Sequence, residues 1–349
     1  MYLYAAMSKR VNNILRTAVP HTESYSIDES FLYLDGMEKL YNLEEYMRGV
    51  AEKVKLYTDI PVSVGIAPSK TLAKMGSKFA KQYKGYRSVC MIDNEDKRRK
   101  ALELFELADV WGIGRQTLAK LNYLGIHTPL EFADKKESWV RSHFNLPEVQ
   151  TWKELNGIPS INTAEVAQKQ SISTSRSFGE MVTSIDSLRA SVADFAASCA
   201  NKLRGQHSVA STITVYIMSN RFREDLPQYS NGQTAILPIS TSDTIEITQA
   251  ALSVLESIYR EGIFYKKSGV ILGNITDASV IQQNLFDEVK NRPQRFQLMK
   301  SIDEINHKFG LKKIKLAVEG EGHQSWHSKS EHRSGNYLSN INEILTINI

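Results

Sequence analysis

The sequence Tyr25-Ser26-Ile27-Asp28-Glu29-Ser30-Phe31 decides how the first hundred residues are interpreted. Apolar residues on both sides of this acidic pair predict a β-strand from Tyr25 to Leu34. Adjacent carboxylates can bind Mg²⁺, which in proteins takes one or two carboxylates together with phosphate oxygens. An acidic surface turn has the same composition, so the pair alone leaves both interpretations open.

A second segment, Val64-Gly65-Ile66-Ala67-Pro68-Ser69-Lys70-Thr71, predicts a strand, a turn and a helix that begins with lysine. The next lysines share one face of that helix: Lys74, Lys78 and Lys81. A lysine at a helix N-terminus suits phosphate, because its charge adds to the positive end of the helix dipole. The spacing excludes a P-loop, since that motif has a glycine where Ser69 stands. The alternative is an amphipathic helix with a solvated basic face.

Charge is concentrated in this part of the chain. Residues 70–100 hold 10 basic and 3 acidic residues, whereas the formal net charge of all 349 residues is only +4. A local excess of this size indicates a surface that attracts a polyanion such as nucleic acid.

The third segment is Trp111-Gly112-Ile113-Gly114, which stands between two helical patterns. Helix, Gly-x-Gly turn and helix is the pattern of a helix-hairpin-helix. Its glycines let backbone N–H groups approach a DNA phosphate without obstruction by side chains. An ordinary turn between helices remains an equally good interpretation of these residues alone.

The order of predicted elements indicates an α+β multidomain fold. Residues 1–97 begin with a helix predicted at 8–18, and strands and helices alternate after it. Residues 98–168 are predicted to be helical. Residues 169–279 predict the order βαββαβ, which is typical of a small two-layer domain. A polar tail follows over residues 280–349. It contains Gln282-Gln283-Asn284-Leu285-Phe286, a motif whose Leu and Phe can anchor in an apolar pocket.

Composition excludes several classes of protein. Hydrophobic residues make up 42% and charged residues 23% of the chain, which is typical of a globular protein. No apolar run is long enough to cross a membrane, and no secretory signal is visible. Cys90 and Cys199 are the only cysteines, which cannot build a disulfide framework, so we expect a cytoplasmic protein.

In their order and spacing, the three segments resemble the Y-family translesion DNA polymerases, most closely the UmuC branch. Ser175-Arg176-Ser177-Phe178-Gly179 resembles the opening of that family's little-finger domain, and residues 282–286 resemble its sliding-clamp motif. The resemblance implies a partial palm over 1–97, a thumb over 98–168, a little finger over 169–279 and a tail. It weakens after about residue 330.

The resemblance also implies roles for individual residues. Asp28 and Glu29 would be catalytic and would ligate two Mg²⁺ ions, and Lys70 would bind the triphosphate of a dNTP. Primer–template DNA would be contacted by five residues: Lys74, Gly112, Ile113, Gly114 and Arg176. The sliding clamp would be bound by Gln282, Leu285 and Phe286. A UmuD-like subunit and RecA are further candidate partners, in SOS-type DNA-damage tolerance.

One departure from the family pattern shapes the expected activity. The family begins with a strand that carries another metal-binding Asp, followed by the fingers, whereas this sequence starts after them. We therefore expect an inactive or very weak polymerase. A non-catalytic DNA-binding remnant is the alternative, and a base-excision glycosylase using Asp134 after the hairpin is a distant third.

Overall fold

A computed structural model describes residues 2–163, 169–280, 291–310, 312–322, 324–329, 331–332, 335, 337, 340–344 and 346. The chain divides into two compact units, Met1–Val166 with Gly335–Ile349, and Ala167–Ser334. Helices and strands occur in both units, and the predicted α+β class is confirmed. The finer boundaries predicted at residues 97, 168 and 279 stay predictions.

The first unit begins with a helix and two small sheets. Its first elements are α1 (Tyr2–Ala18), β1 (His21–Ser24), β2 (Ser30–Tyr33), α2 (Leu43–Thr58), β3 (Val64–Ile66), α3 (Lys70–Gln82) and β4 (Val89–Met91). Strands β1 and β2 pair antiparallel, and β3 and β4 pair parallel. The helix predicted at residues 8–18 begins earlier, at Tyr2.

The prediction of one continuous strand from Tyr25 to Leu34 is wrong. The chain instead forms a hairpin in which residues 25–29 are the turn between β1 and β2. The carbonyl of Glu29 accepts hydrogen bonds from the N–H groups of Tyr25 and Ser26, both at 3.0 Å. Serine and aspartate side chains favour such turns because they hydrogen-bond to nearby backbone.

Close packing of α3 on β3 depends on Gly65. A Cβ at this position would lie 1.8 Å from the carbonyl oxygen of Ala73, so any side chain would push the helix away. The opposite face of α3 buries Leu72, Met75 and Phe79 in the core of the first unit. Strand and helix are therefore held in a fixed relation, which positions Lys70 at the start of the helix.

Five helices complete the first unit. They are α4 (Glu95–Leu104), α5 (Arg115–Tyr123), α6 (Pro129–Ala133), α7 (Glu137–His143) and α8 (Leu146–Leu155). A capping box starts α6, because the Thr128 hydroxyl accepts from the backbone of Glu131 and the Glu131 carboxylate accepts in return from Thr128. The predicted helical character of this region is confirmed.

The second unit has the predicted βαββαβ order. Its elements are β5 (Ser171–Val182), α9 (Ile185–Gly205), β6 (Ser208–Ser219), β7 (Ser230–Thr241), α10 (Thr244–Ile258) and β8 (Tyr265–Asp277), followed by α11 (Arg292–Phe309). The four strands form one antiparallel sheet in the order β5-β8-β6-β7. One apolar stripe of α9 is buried in the core of this unit: Leu188, Val192, Phe195, Cys199 and Leu203.

Helix α11 is fixed to the second unit by ion pairs. Asp303 accepts two hydrogen bonds from Arg204, at 2.6 and 2.8 Å, and Arg295 binds Asp243 at 2.8 Å. Further along, Trp326 lies buried in the same core, with its ring 5.6 Å from that of Phe195. Part of the predicted tail is thus integral to the packing of this unit.

Candidate active site

The acidic turn presents both candidate ligand carboxylates at the surface. Asp28 and Glu29 are exposed, directly before β2. The Asp28 carboxylate accepts a hydrogen bond of 2.5 Å from the hydroxyl of Ser26, which also accepts from the Asp28 N–H at 3.3 Å. These local bonds fix the turn and leave carboxylate oxygens accessible to a ligand.

Lys74 joins this turn to α3. Its ammonium group lies 2.8 Å from the Glu29 carboxylate and 5.1 Å from the ring centres of both Tyr25 and Trp111. The Glu29 side chain is 47% exposed, and exposed pairs of this kind contribute about 1 kcal/mol or less. A cation or a phosphate can therefore compete with either member of the pair.

Aromatic contacts bring the Gly-x-Gly hairpin to the same place. The Trp111 indole N–H donates to the Tyr25 hydroxyl at 3.3 Å, and their rings meet edge to face at 5.4 Å. The ring of Phe31 lies 5.7 Å from Trp111. Two segments that are 80 residues apart in sequence thus form one surface, which the sequence did not predict.

Lys70 lies in a buried polar network beneath that surface. Its ammonium group is 2.9 Å from Glu23 and 2.6 Å from the hydroxyl of Thr163. The Glu23 carboxylate also accepts hydrogen bonds from Thr163 and, at 2.8 Å, from the Tyr33 hydroxyl. The side chains of Glu23 and Lys70 are only 8% and 13% exposed.

The ionisation of this network follows from its contacts. Burial would raise the pKa of Glu23, yet hydrogen bonds from Thr163, Lys70 and Tyr33 outweigh it and hold that pKa below its ordinary value of 4.5. Burial likewise works against the charge on Lys70, but Glu23 and Tyr33 raise its pKa above 10.5. Burial and Glu23 raise the pKa of the Tyr33 phenol. The network holds one carboxylate and one ammonium at neutral pH.

The N-terminus of α3 is occupied by a carboxylate of the protein itself. Glu154, fully buried on α8, accepts from the N–H of Thr71 at 2.9 Å and from the N–H groups of Ser160 and Ile161. The Ser69 hydroxyl caps the same helix end. The sequence predicts a phosphate at this dipole. The structure places Glu154 there, and no local pattern identifies it because it lies 83 residues from Thr71.

The three hairpin residues have different surroundings. Gly112 has a φ of +97°, and a Cβ there would lie 2.3 Å from the Thr151 hydroxyl. Ile113 is buried in the core of the first unit. Gly114 is the residue just before α5, and a Cβ there would meet no described atom within 4 Å. Of the three, Gly114 has the open approach that a phosphate requires.

The remaining predicted residues belong to other parts of the sequence. Arg176 is exposed on β5, which ends the strand order of the second unit, and pairs with Ser268 of β8. The predicted clamp-binding residues lie outside the described residues: Gln282, Leu285 and Phe286. Asp134, at the end of α6, is held by both terminal nitrogens of Arg99 at 2.9 and 3.1 Å, which lowers its pKa.

Family models match three successive parts of the chain. The impB/mucB/samB family matches residues 1–78, its C-terminal domain matches 169–285, and a domain of unknown function, DUF4113, matches 297–347. The protein UmuC of Salmonella typhimurium is 38% identical over 347 residues, which covers 99% of this chain and 82% of that protein. The chain belongs to the UmuC branch of the Y-family DNA polymerases.

Other relatives agree with this Y-family assignment. The protein ImpB of Salmonella typhimurium is 36% identical over 345 residues, covering 98% of this chain and 81% of its own length. DNA polymerase IV of Clostridium acetobutylicum is 26% identical over 321 residues, covering 90% of this chain and 76% of its own length. The predicted family is confirmed, and by family the chain is a translesion polymerase of the DNA-directed DNA polymerase class.

A solved structure supports the Y-family fold. A Y-family DNA polymerase chimera of Dbh and Dpo4 superposes with a TM-score of 0.57 at 21% identity, covering 79% of this chain and 77% of the chimera.

Within the described part of the chain, no helix has the length and apolar character needed to cross a membrane.

Proposed function

We propose that the acidic turn and α3 form the nucleotidyl-transfer site of this polymerase, with Asp28 and Glu29 as metal-ligating carboxylates and Lys70 as the triphosphate-binding group. One observation carries the proposal. Lys74 lies between Glu29 and Trp111, so the acidic turn, the basic helix and the hairpin share one surface. Acidic ligands, a cationic helix and a backbone-lined turn are the groups that joining a dNTP to a primer requires.

The donor chemistry of the turn fits Mg²⁺. Y-family polymerases are nucleotidyltransferases that generally use divalent metals, and Mg²⁺ prefers carboxylate oxygens together with substrate phosphates. Asp28 and Glu29 offer such oxygens, and bound Mg²⁺ would activate the primer 3′-hydroxyl and neutralise charge on the triphosphate. Among the residues that the structure describes, no group of three or more acidic, His or Cys side chains could hold a metal.

Primer–template DNA would lie along the surface around Lys74. The ammonium of Lys74 offers a phosphate contact, and Gly114 opens the N-terminus of α5, where backbone N–H groups favour an anion. Arg176 in the second unit would add a further backbone contact. Such contacts hold DNA without reading its sequence.

Clamp binding by Gln282, Leu285 and Phe286 is a separate proposal that is supported by the sequence motif. The double change Leu285→Ala with Phe286→Ala should abolish pull-down by the sliding clamp and leave DNA binding intact. Unchanged pull-down would remove this proposal. A UmuD-like subunit and RecA stay predictions from the resemblance.

Primer extension tests the site. The full chain, Asp28→Asn and Glu29→Gln are compared on a primer–template with dNTPs and Mg²⁺. Asp35→Asn is the matched control, because it removes another exposed aspartate just after β2. A gel shift of the same DNA is measured for every variant.

Extension that is lost in Asp28→Asn and Glu29→Gln but kept in Asp35→Asn supports the proposal. Extension that survives both changes in the turn would overturn the metal-ligand assignment. If the unchanged chain shifts DNA but extends no primer, the chain acts as a DNA-binding protein, and the assignment of a working site fails.

A further inference from the structure

The network around Lys70 contains a carboxylate to which neither the sequence motifs nor the relatives assign a role. Glu23 lies on β1, five residues before Asp28, and its two oxygens contact Lys70, Thr163 and Tyr33. If Lys70 binds a triphosphate, as the proposed function requires, Glu23 competes for the same ammonium group.

Two acceptors within the first unit already hold the Lys70 ammonium. A lysine ammonium has three donors. Glu23 and Thr163 accept at 2.9 and 2.6 Å, and the centre of the Tyr33 ring lies 5.9 Å from the ammonium nitrogen. A phosphate that approaches this ammonium therefore shares it with acceptors that are already in place. The neutral Thr163 hydroxyl is the weaker one, since a charged acceptor forms the stronger hydrogen bond.

We propose that Glu23 is a positioning residue that acts through Lys70: it holds the ammonium group in place and masks its charge until a nucleoside triphosphate arrives. The ion pair is nearly buried, and Phe31 covers the ammonium at 5.0 Å from its ring centre. A buried cation without its counter-charge is costly, so Glu23 keeps the unliganded site stable. The same carboxylate lowers the attraction of Lys70 for a polyanion. This inference rests on the proposed function of Lys70.

The two effects of Glu23 predict an unusual pair of results for Glu23→Gln. The variant loses stability without ligand, because Lys70 keeps its charge in a nearly buried position. It also binds a triphosphate more tightly, because the phosphate restores the missing counter-charge. A purely structural role for Glu23 predicts the first result without the second.

The experiment measures the unfolding temperature of the full chain with and without dATP and Mg²⁺. For Glu23→Gln we expect a lower temperature without nucleotide and a larger rise on adding it. About tenfold tighter binding enlarges that rise by about 2–4 °C. The nucleotide-dependent rise should be the same in Lys70→Gln and in the double variant of Lys70→Gln with Glu23→Gln, because Glu23 acts only through Lys70.

Asp243→Asn is the matched control. Asp243 is a similarly buried carboxylate that pairs with Arg295 in the second unit, with 10% of its side chain exposed. Its loss should lower the unfolding temperature and leave the nucleotide-dependent rise unchanged. If Glu23→Gln does not fold, Glu23→Asp replaces it in the experiment. Its shorter carboxylate lies further from Lys70, so the nucleotide-dependent rise in unfolding temperature should still increase, but by less.

The outcomes separate the inference from the proposed function. A nucleotide-dependent rise in the unchanged chain that stays equal or falls in Glu23→Gln overturns the role of Glu23 and leaves the triphosphate site standing. No rise in the unchanged chain, or an undiminished rise in Lys70→Gln, overturns the triphosphate role of Lys70 and the role of Glu23 with it.

Discussion

Lys70 and Lys74 stand one turn apart on α3, yet their ammonium groups lie in different surroundings. Lys70 is 13% exposed and belongs to a network that reaches β1, β2 and Thr163. Lys74 is 24% exposed, and its partner Glu29 is 47% exposed. The first lysine belongs to a buried layer that holds the site together, and the second belongs to an exposed layer that can exchange partners.

The same division applies to the residues around them. Glu154 belongs to the buried layer, because its carboxylate is fully buried and accepts from the backbone of Thr71. Gly112 is itself exposed, but a Cβ at this position would collide with Thr151. Asp28, Glu29 and Gly114 belong to the exposed layer. Residues of the two layers alternate within a few positions of each other, so neighbouring substitutions should have very different effects.

Glu154→Ala is expected to have the largest effect on stability. It leaves three backbone N–H groups without their acceptor, of Thr71, Ser160 and Ile161. Unsatisfied buried donors cost about 1–3 kcal/mol each, so we expect a loss of roughly 3 kcal/mol or more in the free energy of unfolding. Urea denaturation measures it. Glu154→Gln, which keeps one carbonyl acceptor, should lose less, and a loss below about 1 kcal/mol for Ala would contradict the capping role.

Gly112→Ala and Gly114→Ala compare, within one turn, a glycine that has no room for a side chain with one that has it. At Gly112 the positive φ and the contact with Thr151 should cost roughly 2 kcal/mol of stability. At Gly114 the change should cost less than about 1 kcal/mol and weaken DNA binding in a gel shift. Thr151→Ala in the Gly112→Ala background should restore part of the stability. Equal losses of stability at both glycines would contradict the difference in side-chain room between them.

Acid should weaken the buried pair of Glu23 and Lys70. Because the pKa of Glu23 is lowered by folding, its stabilisation is present above pH 4.5 and is lost as the pH falls through the folded-state pKa. At neutral pH, Glu23→Gln should cost about half of the roughly 3 kcal/mol typical of a fully buried pair. Urea denaturation between pH 7 and pH 3 measures the free energy of unfolding of the unchanged chain and of Glu23→Gln. The two values should converge below pH 4.5. A constant gap would refute the pairing.

Lys74→Gln should have the smallest effect on stability, about 0.5 kcal/mol or less, because its ion pair is exposed. Its effect on DNA binding should be larger. Loss of one phosphate contact lowers the slope of log K against log salt by about 0.9. Fluorescence anisotropy over a range of salt concentrations measures that slope. Arg141→Gln, which removes an exposed ion pair within α7, is the matched control.

Much of the fold followed from local patterns. The order βαββαβ of the second unit was predicted from such patterns, because each of its elements buries one apolar face. The capping box of Thr128 and Glu131 was equally local. The hairpin at residues 25–29 was missed because the same apolar pattern suits one long strand, and only the pairing of β1 with β2 distinguishes the two.

The candidate site was predicted in part. Asp28, Glu29 and Lys70 belong to recognisable motifs, and the family assignment followed from them. Glu23, Thr163 and Glu154 could not be found, since each acts on a residue that is 47 to 93 positions away. A lone glutamate or threonine has no pattern that distinguishes a buried partner from an exposed surface residue.

The sequence by itself determined the order of the elements, the family and the residues that carry charge at the turn and on α3, because periodicity, turn chemistry and motif spacing are local properties. The tertiary structure alone decided which charges are buried. Lys70 and Lys74 have the same side chain on the same helix, and only the packing of β1, β2 and Thr163 around one of them makes it a buried ion pair. Burial depends on distant parts of the chain, so no local pattern contains it.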